Sequence, residues 1–135
     1  MSHFSRRRLL VALGAATALP ILPACADSRV ETTHIDAAAV KAGLADGSIT
    51  LVDVREPDEW AAGHVEGATL LPLSRFDPAR LPPPAPGKTL VIMCRSGNRS
   101  QTAIALAQKA GRSDVKTNFA GGISAWVAAG GRTVR

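Results

Sequence analysis

The chain has 135 residues, 46% of them apolar and 4% aromatic, which allows one packed domain and argues against a large aromatic ligand platform. Its formal charge of +5 belongs partly to a leader-like segment: without Arg6, Arg7 and Arg8, 13 basic residues face 11 acidic ones. Those charges are interspersed, which argues against a nucleic-acid groove.

Residues 1–26 read as an export signal. A basic, acid-free start is followed by an alanine-rich apolar stretch over residues 9–22, short for a membrane span and holding Pro20. Ser5-Arg6-Arg7-Arg8-Leu9-Leu10 resembles the twin-arginine motif, with Leu9 in place of phenylalanine and Val11 in place of the usual lysine. Twin-arginine and general secretion routes both stay open. Two processing sites compete. Leu22-Pro23-Ala24-Cys25 resembles a lipobox, with Cys25 as the lipidated mature N-terminus, and Ala24-Cys25-Ala26 resembles an Ala-x-Ala site cleaved before Asp27. Either way the expected location is the periplasm, free or on a membrane-anchored lipoprotein. Membrane contact is expected only through the leader or a lipid on Cys25. Cys94 then remains as the single free thiol in a compartment where disulfides persist.

Residues 27–32 read as a linker and residues 33–135 as one domain. Residues 32–35 predict a short edge strand. Asp36 can cap a helix over residues 37–44 that stops at Asp46-Gly47. Ile49-Thr50-Leu51-Val52-Asp53-Val54 predicts a buried parallel strand. Pro57 opens a helical turn over residues 56–61. Residues 69–72 predict a short strand, residues 76–81 a short helical piece, and residues 82–86 a stiff proline-rich connection. Residues 89–93 predict the central strand. A helix follows over residues 98–110, with Ala103, Ile104, Leu106 and Ala107 as its apolar positions and Gly111 as terminator. Residues 115–119 predict the last strand and residues 122–129 the closing helix. Strands alternating with helices imply an α/β fold with a mainly parallel sheet covered on both faces, and ligands in such folds bind beyond the C-terminal strand ends. Asp53 and Cys94 both fall there.

Cys94 carries the most information. The apolar run Val91-Ile92-Met93 ends on it, the small and basic residues Arg95-Ser96-Gly97 follow, and a helix begins at Asn98-Arg99-Ser100. Strand, tight loop and helix N-terminus direct backbone N–H groups into one bowl, and the helix dipole adds partial positive charge. Arg95 and Arg99 add full charges. A thiol in such a bowl ionises readily, and the thiolate is the nucleophile.

Cys94-Arg95-Ser96-Gly97-Asn98-Arg99-Ser100 resembles the active-site loop of single-domain rhodaneses, the sulfurtransferases. Three further segments match that family in order. Asp53-Val54-Arg55-Glu56 resembles its Asp-x-Arg-Glu segment, Gly63-His64-Val65-Glu66-Gly67-Ala68 its Gly-His-Ile-x-Gly-Ala turn, and Gly121-Gly122-Ile123-Ser124-Ala125-Trp126 its closing Gly-Gly-x-x-x-Trp. The resemblance implies a rhodanese-like, five-stranded, mainly parallel sheet. It also implies a two-step relay in which Cys94 takes a sulfane sulfur from a donor such as thiosulfate. A thiophilic acceptor, cyanide or a thiol, then removes it. Residues Arg95, Ser96, Gly97, Asn98, Arg99 and Ser100 would bind substrate and persulfide, while Asp53 and Arg55 would brace the loop. Arg95 reads as a clamp for an anionic donor, and Arg99 either binds donor or pins the loop. No metal or organic cofactor is expected, because no His or Cys cluster has ligand spacing.

Loop length separates this reading from its rivals. Cysteine phosphatases place seven residues from cysteine to arginine, whereas Cys94 to Arg99 spans six. The tighter bowl suits one sulfur atom better than a tetrahedral oxyanion. The alternatives are a non-catalytic rhodanese-like module that docks a partner and a persulfide carrier that serves a protein acceptor. His64 reads as a turn residue, Trp126 as core, and Gly121 and Gly122 as positions where the backbone approaches the loop.

Overall fold

Five short strands, Thr33–Ile35 (β1), Ile49–Asp53 (β2), Thr69–Leu70 (β4), Thr89–Met93 (β5) and Thr117–Phe119 (β6), pair in parallel in the order β1-β6-β5-β2-β4. The computed structural model describes residues 18–21 and 29–135. Arg6, Arg7, Arg8 and Cys25, and with them the expectations about export and lipidation, lie outside the described residues.

Alternation along β5 explains how the sheet serves two cores. Leu90, Ile92 and Cys94 face one side with Ala103, Ile104 and Ala107, while Val91 and Met93 face the other with Val40 and Trp126. The first side is covered by helix α3 (Asn98–Lys109), and the second by α1 (Ala37–Asp46) and α4 (Gly122–Ala128). A sheet buried on both faces needs continuous apolar strands, which is what Leu90, Val91, Ile92 and Met93 supply. The expected α/β sheet with helices on both faces is therefore the observed one.

Local chemistry sets the helix ends. Asp36 Oδ1 accepts from Ala39 N at 2.9 Å at the start of α1, and Gly47 closes it with φ of 77°. Pro57 opens the short helix α2 (Pro57–Ala62), where Glu56 and Glu59 form a reciprocal capping box.

Some boundaries differ from the expected ones. The helical piece over residues 76–81 is instead two 3-10 turns, Leu73–Arg75 and Pro78–Arg80, the second capped by Asp77 on Ala79 N. The last strand starts at Thr117, because Val115 N turns back to Arg112 O and Val115 O accepts from the Gln108 side chain. Leu106 is 43% exposed rather than buried. His64–Val65 (β3) and Thr133–Val134 (β7) form a separate antiparallel ribbon that the sequence reading did not include.

Candidate active site

Cys94 leaves β5 at its C-terminal end, and α3 starts four residues later, so residues 95–97 must turn the chain within a single step. Gly97 makes this turn with φ of 98°, a left-handed value that favours glycine. α4 backs the turn. Ile123 N donates to Cys94 O at 2.9 Å and Ser124 N donates to Arg95 O at 3.1 Å. Gly122, with φ of 53°, allows this approach, since a Cβ there would collide with Cys94 O. The loop carbonyls are thus held by free N–H groups of α4, and the loop's own N–H groups are left to the sulfur.

Gly97 N donates to Cys94 Sγ at 3.0 Å, and Ser100 Oγ lies 3.5 Å from the same sulfur. Burial pushes the thiol up. The Ser100 hydroxyl and the N–H groups of Ser100, Gly97 and Ser96 outweigh that and hold Cys94 below its ordinary value. The thiol is free and buried.

Arg95, Ser96 and Asn98 are exposed around the mouth of the bowl. Arg99 is not aimed at the sulfur as an anion clamp. Its Nη1 and Nη2 donate to the two carboxylate oxygens of Glu59, each at 2.7 Å. Glu59 also accepts from Glu56 N at 2.9 Å, so one carboxylate caps α2 and pins the start of α3. Asp53 and Arg55 lie one step further back. They form a buried ion pair at 2.8 Å, and Arg55 also donates to Glu59 O and Gly63 O. The two residues therefore fasten the backbone of α2 to the end of β2, and Glu59 and Arg99 carry that link on to the Cys94 loop. His64 stacks on Trp60 with ring centroids 3.7 Å apart, and its Nδ1 meets Trp60 O at 3.0 Å. Trp126 lies in the core and donates to Arg132 O.

Two residues at the site were not singled out from the sequence. Glu59 was readable as the third helical residue after a proline-opened start, where an acidic side chain completes a capping box. Asn118 is a buried polar residue in an apolar strand, and such a residue requires partners. It bonds Ser100 and Gly97.

The Glu59–Arg99 pair gives a pH signature. Its hydrogen bonds from Arg99 pull the Glu59 carboxyl from 4.5 down to about 2, against the opposing effect of burial. The folded value lies below the unfolded one, so this stabilisation is present above about pH 4.5 and is lost as pH falls towards about 2. Thermal melts across that window should show the unaltered protein losing stability more steeply than Glu59→Gln. Equal slopes would contradict the pairing.

The comparisons with known proteins agree with this geometry. Residues 36–129 match the rhodanese-like domain. An uncharacterised Synechocystis protein, slr1261, is 44% identical over 88 residues, covering 65% of this chain and 48% of its own length, so this chain spans about half of that relative. The human thiosulfate:glutathione sulfurtransferase is 32% identical over 97 residues, covering 62% of this chain and 84% of that protein. Among solved structures, a rhodanese-related protein from Thermoplasma volcanium superposes with a TM-score of 0.62 at 27% identity, covering 77% of this chain and 97% of the other. With a matching domain, a matching fold and a thiol seated in a loop of N–H donors, this chain belongs to the rhodanese-like domain family.

Proposed function

We propose that the chain is an exported sulfurtransferase that moves a sulfane sulfur from a donor such as thiosulfate to cyanide or a thiol through a persulfide on Cys94. In the first step the Cys94 thiolate attacks the outer sulfur of thiosulfate. The Cys94–sulfur bond forms, the donor S–S bond breaks, and sulfite leaves with the electron pair. In the second step the acceptor attacks the outer persulfide sulfur, and Cys94 leaves as the thiolate. No net oxidation or outside reductant is involved. The observation that carries this reading is the donor geometry at sulfur, with Gly97 N at 3.0 Å and further N–H groups from Ser96 and Ser100 lowering the thiol. Donors fixed before the reaction stabilise the developing negative charge without rearranging. The exposed Arg95 at the mouth supports a dianionic donor. The human relative named for thiosulfate and glutathione supports both the donor and a thiol acceptor.

Loop size and the engagement of Arg99 argue against phosphoryl chemistry. A phosphatase needs a guanidinium free to grip the phosphate oxygens, and both Nη groups of Arg99 are bonded to Glu59. Steady-state rates should therefore show thiosulfate turnover with negligible aryl phosphate hydrolysis. Inserting one glycine between Gly97 and Asn98 should lower sulfur transfer at least ~10-fold, because N–H donors displaced by ~1 Å lose most of their hold on the persulfide. Efficient aryl phosphate hydrolysis by the unaltered protein would overturn the assignment.

Export belongs to the same proposal, supported by the basic start and apolar stretch of residues 1–26. Labelled palmitate on Cys25 is expected for a lipoprotein. Absence of label, with a mature chain beginning at Asp27, would identify the soluble periplasmic form instead.

A further inference from the structure

Leu81-Pro82-Pro83-Pro84-Ala85-Pro86 joins the second 3-10 turn to β5 and crosses the surface without a helix or strand of its own. Sterics set its shape. Each proline fixes its own φ at about −65°, and a residue that precedes a proline is driven to extended backbone. Leu81, Pro82, Pro83 and Ala85 all precede one. The run therefore takes the polyproline II form, which Leu81 enters at φ −63° and ψ 143°. Both ends are fastened to the body. Leu81 is buried in the core, and its N–H donates to Pro78 O. Arg112, itself paired with Asp114, donates to Pro82 O at 2.7 Å. Beyond the run, Lys88 N donates to Ala85 O at 3.1 Å around Gly87, whose φ of 71° makes the turn into β5.

Between these anchors Pro83, Pro84, Ala85 and Pro86 are exposed. Pro83 and Pro84 stand between two clefts. One, of about 580 Å³, reaches Ala110 and Arg112, and the other, of about 190 Å³, reaches Lys88 and Lys116. A polyproline II ridge held in this way has little ordering entropy left to lose on binding. Three residues complete one turn of that helix, so Pro83 and Pro86 share an edge, about 9 Å apart. Proline rings pack against aromatic side chains, and a cleft on each side leaves room for the walls of a groove. Charge specifies that groove further. Arg80 precedes the ridge and Lys88 follows it. Both are exposed, and neither side chain has a hydrogen-bond or ion-pair partner among the described residues. A complementary groove therefore carries carboxylates at its rim.

We propose that residues 80–88 form a docking ridge for a partner protein whose groove is lined with aromatic side chains and rimmed by carboxylates. The ridge ends where β5 begins, and Cys94 follows the other end of that strand. The five residues of β5 put ~17 Å between them. A partner seated on the ridge leaves the mouth of the bowl open. Docking is thus separate from the chemistry of Cys94, and it stands or falls independently of sulfur transfer.

The test is a titration of the full chain, labelled with nitrogen-15, against an SH3 domain selected for binding a synthetic peptide of residues 79–89. That fold takes polyproline II in an aromatic-lined groove. The folded chain should bind the probe at least about threefold more tightly than the peptide does, because its ridge is already ordered. Prolines have no amide hydrogen, so the signals to follow are those of Arg80, Leu81, Ala85, Gly87 and Lys88. These should shift, while those of Ser96 and Gly97 stay in place. Pro83→Ala combined with Pro86→Ala should weaken binding about tenfold. Arg80→Glu should weaken it about threefold, a loss that shrinks in added salt. The proposal is overturned by weaker binding to the folded chain than to the peptide, by undiminished binding of the doubly substituted chain, or by shifts centred on the Cys94 loop. It is also overturned if the ridge amides shift when the chain is concentrated without the probe, the mark of a second copy as the occupant.

Discussion

Replacing Cys94 with serine is expected to reduce sulfur transfer at least ~1,000-fold while the protein stays folded, because a hydroxyl ionises far less readily than a thiol and forms no persulfide. Folding should survive, since the new hydroxyl inherits the donor from Gly97 N and a neighbour in Ser100 Oγ. Steady-state rates and a circular dichroism melt measure the two halves of the statement. Substantial turnover by folded Cys94→Ser protein would remove Cys94 from the chemistry.

The second large effect is on stability. Arg55→Leu leaves the Asp53 carboxylate, fully buried, without its ion-pair partner. It also removes the donors to Glu59 O and Gly63 O. Breaking one side of a buried pair costs ~3–5 kcal/mol, a large share of the ~5–15 kcal/mol that holds a domain together. The melting temperature should fall by ~15 °C or more. Adding Asp53→Asn should recover part of the loss. The orphaned charge is then gone, while the new amide oxygen can still accept from the Arg55 backbone N–H position that Asp53 Oδ1 now holds at 3.0 Å. A melting temperature within ~3 °C of the unaltered protein would show that the pair is not the brace described here.

These two effects separate the parts of the site that are local in sequence from those that are not. Strand, thiol, turn and helix start are contiguous over residues 89–100, so their spacing alone places Cys94 in a bowl of N–H groups. The parallel sheet was legible for a similar reason: residues 49–54 and 89–93 are apolar enough to be buried on both faces. The partners of the bowl are not contiguous with it. Glu59 is 40 residues from Arg99, and Ser100 is 18 from Asn118, and no local pattern announces either pair. Arg99 therefore stood between two roles until its guanidinium was located on Glu59. The β3–β7 ribbon escaped notice because two residues per strand carry no alternation to detect. The 3-10 turns around Pro78 replaced an expected helical piece because short proline-containing segments satisfy their bonds one turn at a time.

From the sheet outward, each layer fixes the next. The alternation of β5 sends Cys94 to the α3 side, the glycines at positions 97 and 122 let loop and α4 meet, and α4 occupies the loop carbonyls so that N–H groups point to sulfur. The result is a thiol held low in spite of its burial. A buried structural cysteine would show the opposite shift.

The intact mass of the protein after brief exposure to thiosulfate and removal of excess reagent tests the central claim most directly. A gain of ~32 Da that maps to Cys94, disappears on adding cyanide or a thiol, and is absent from Cys94→Ser protein is the expected result for a stored sulfur atom. An unchanged mass under conditions where the thiol is shown by alkylation to be reactive would contradict it.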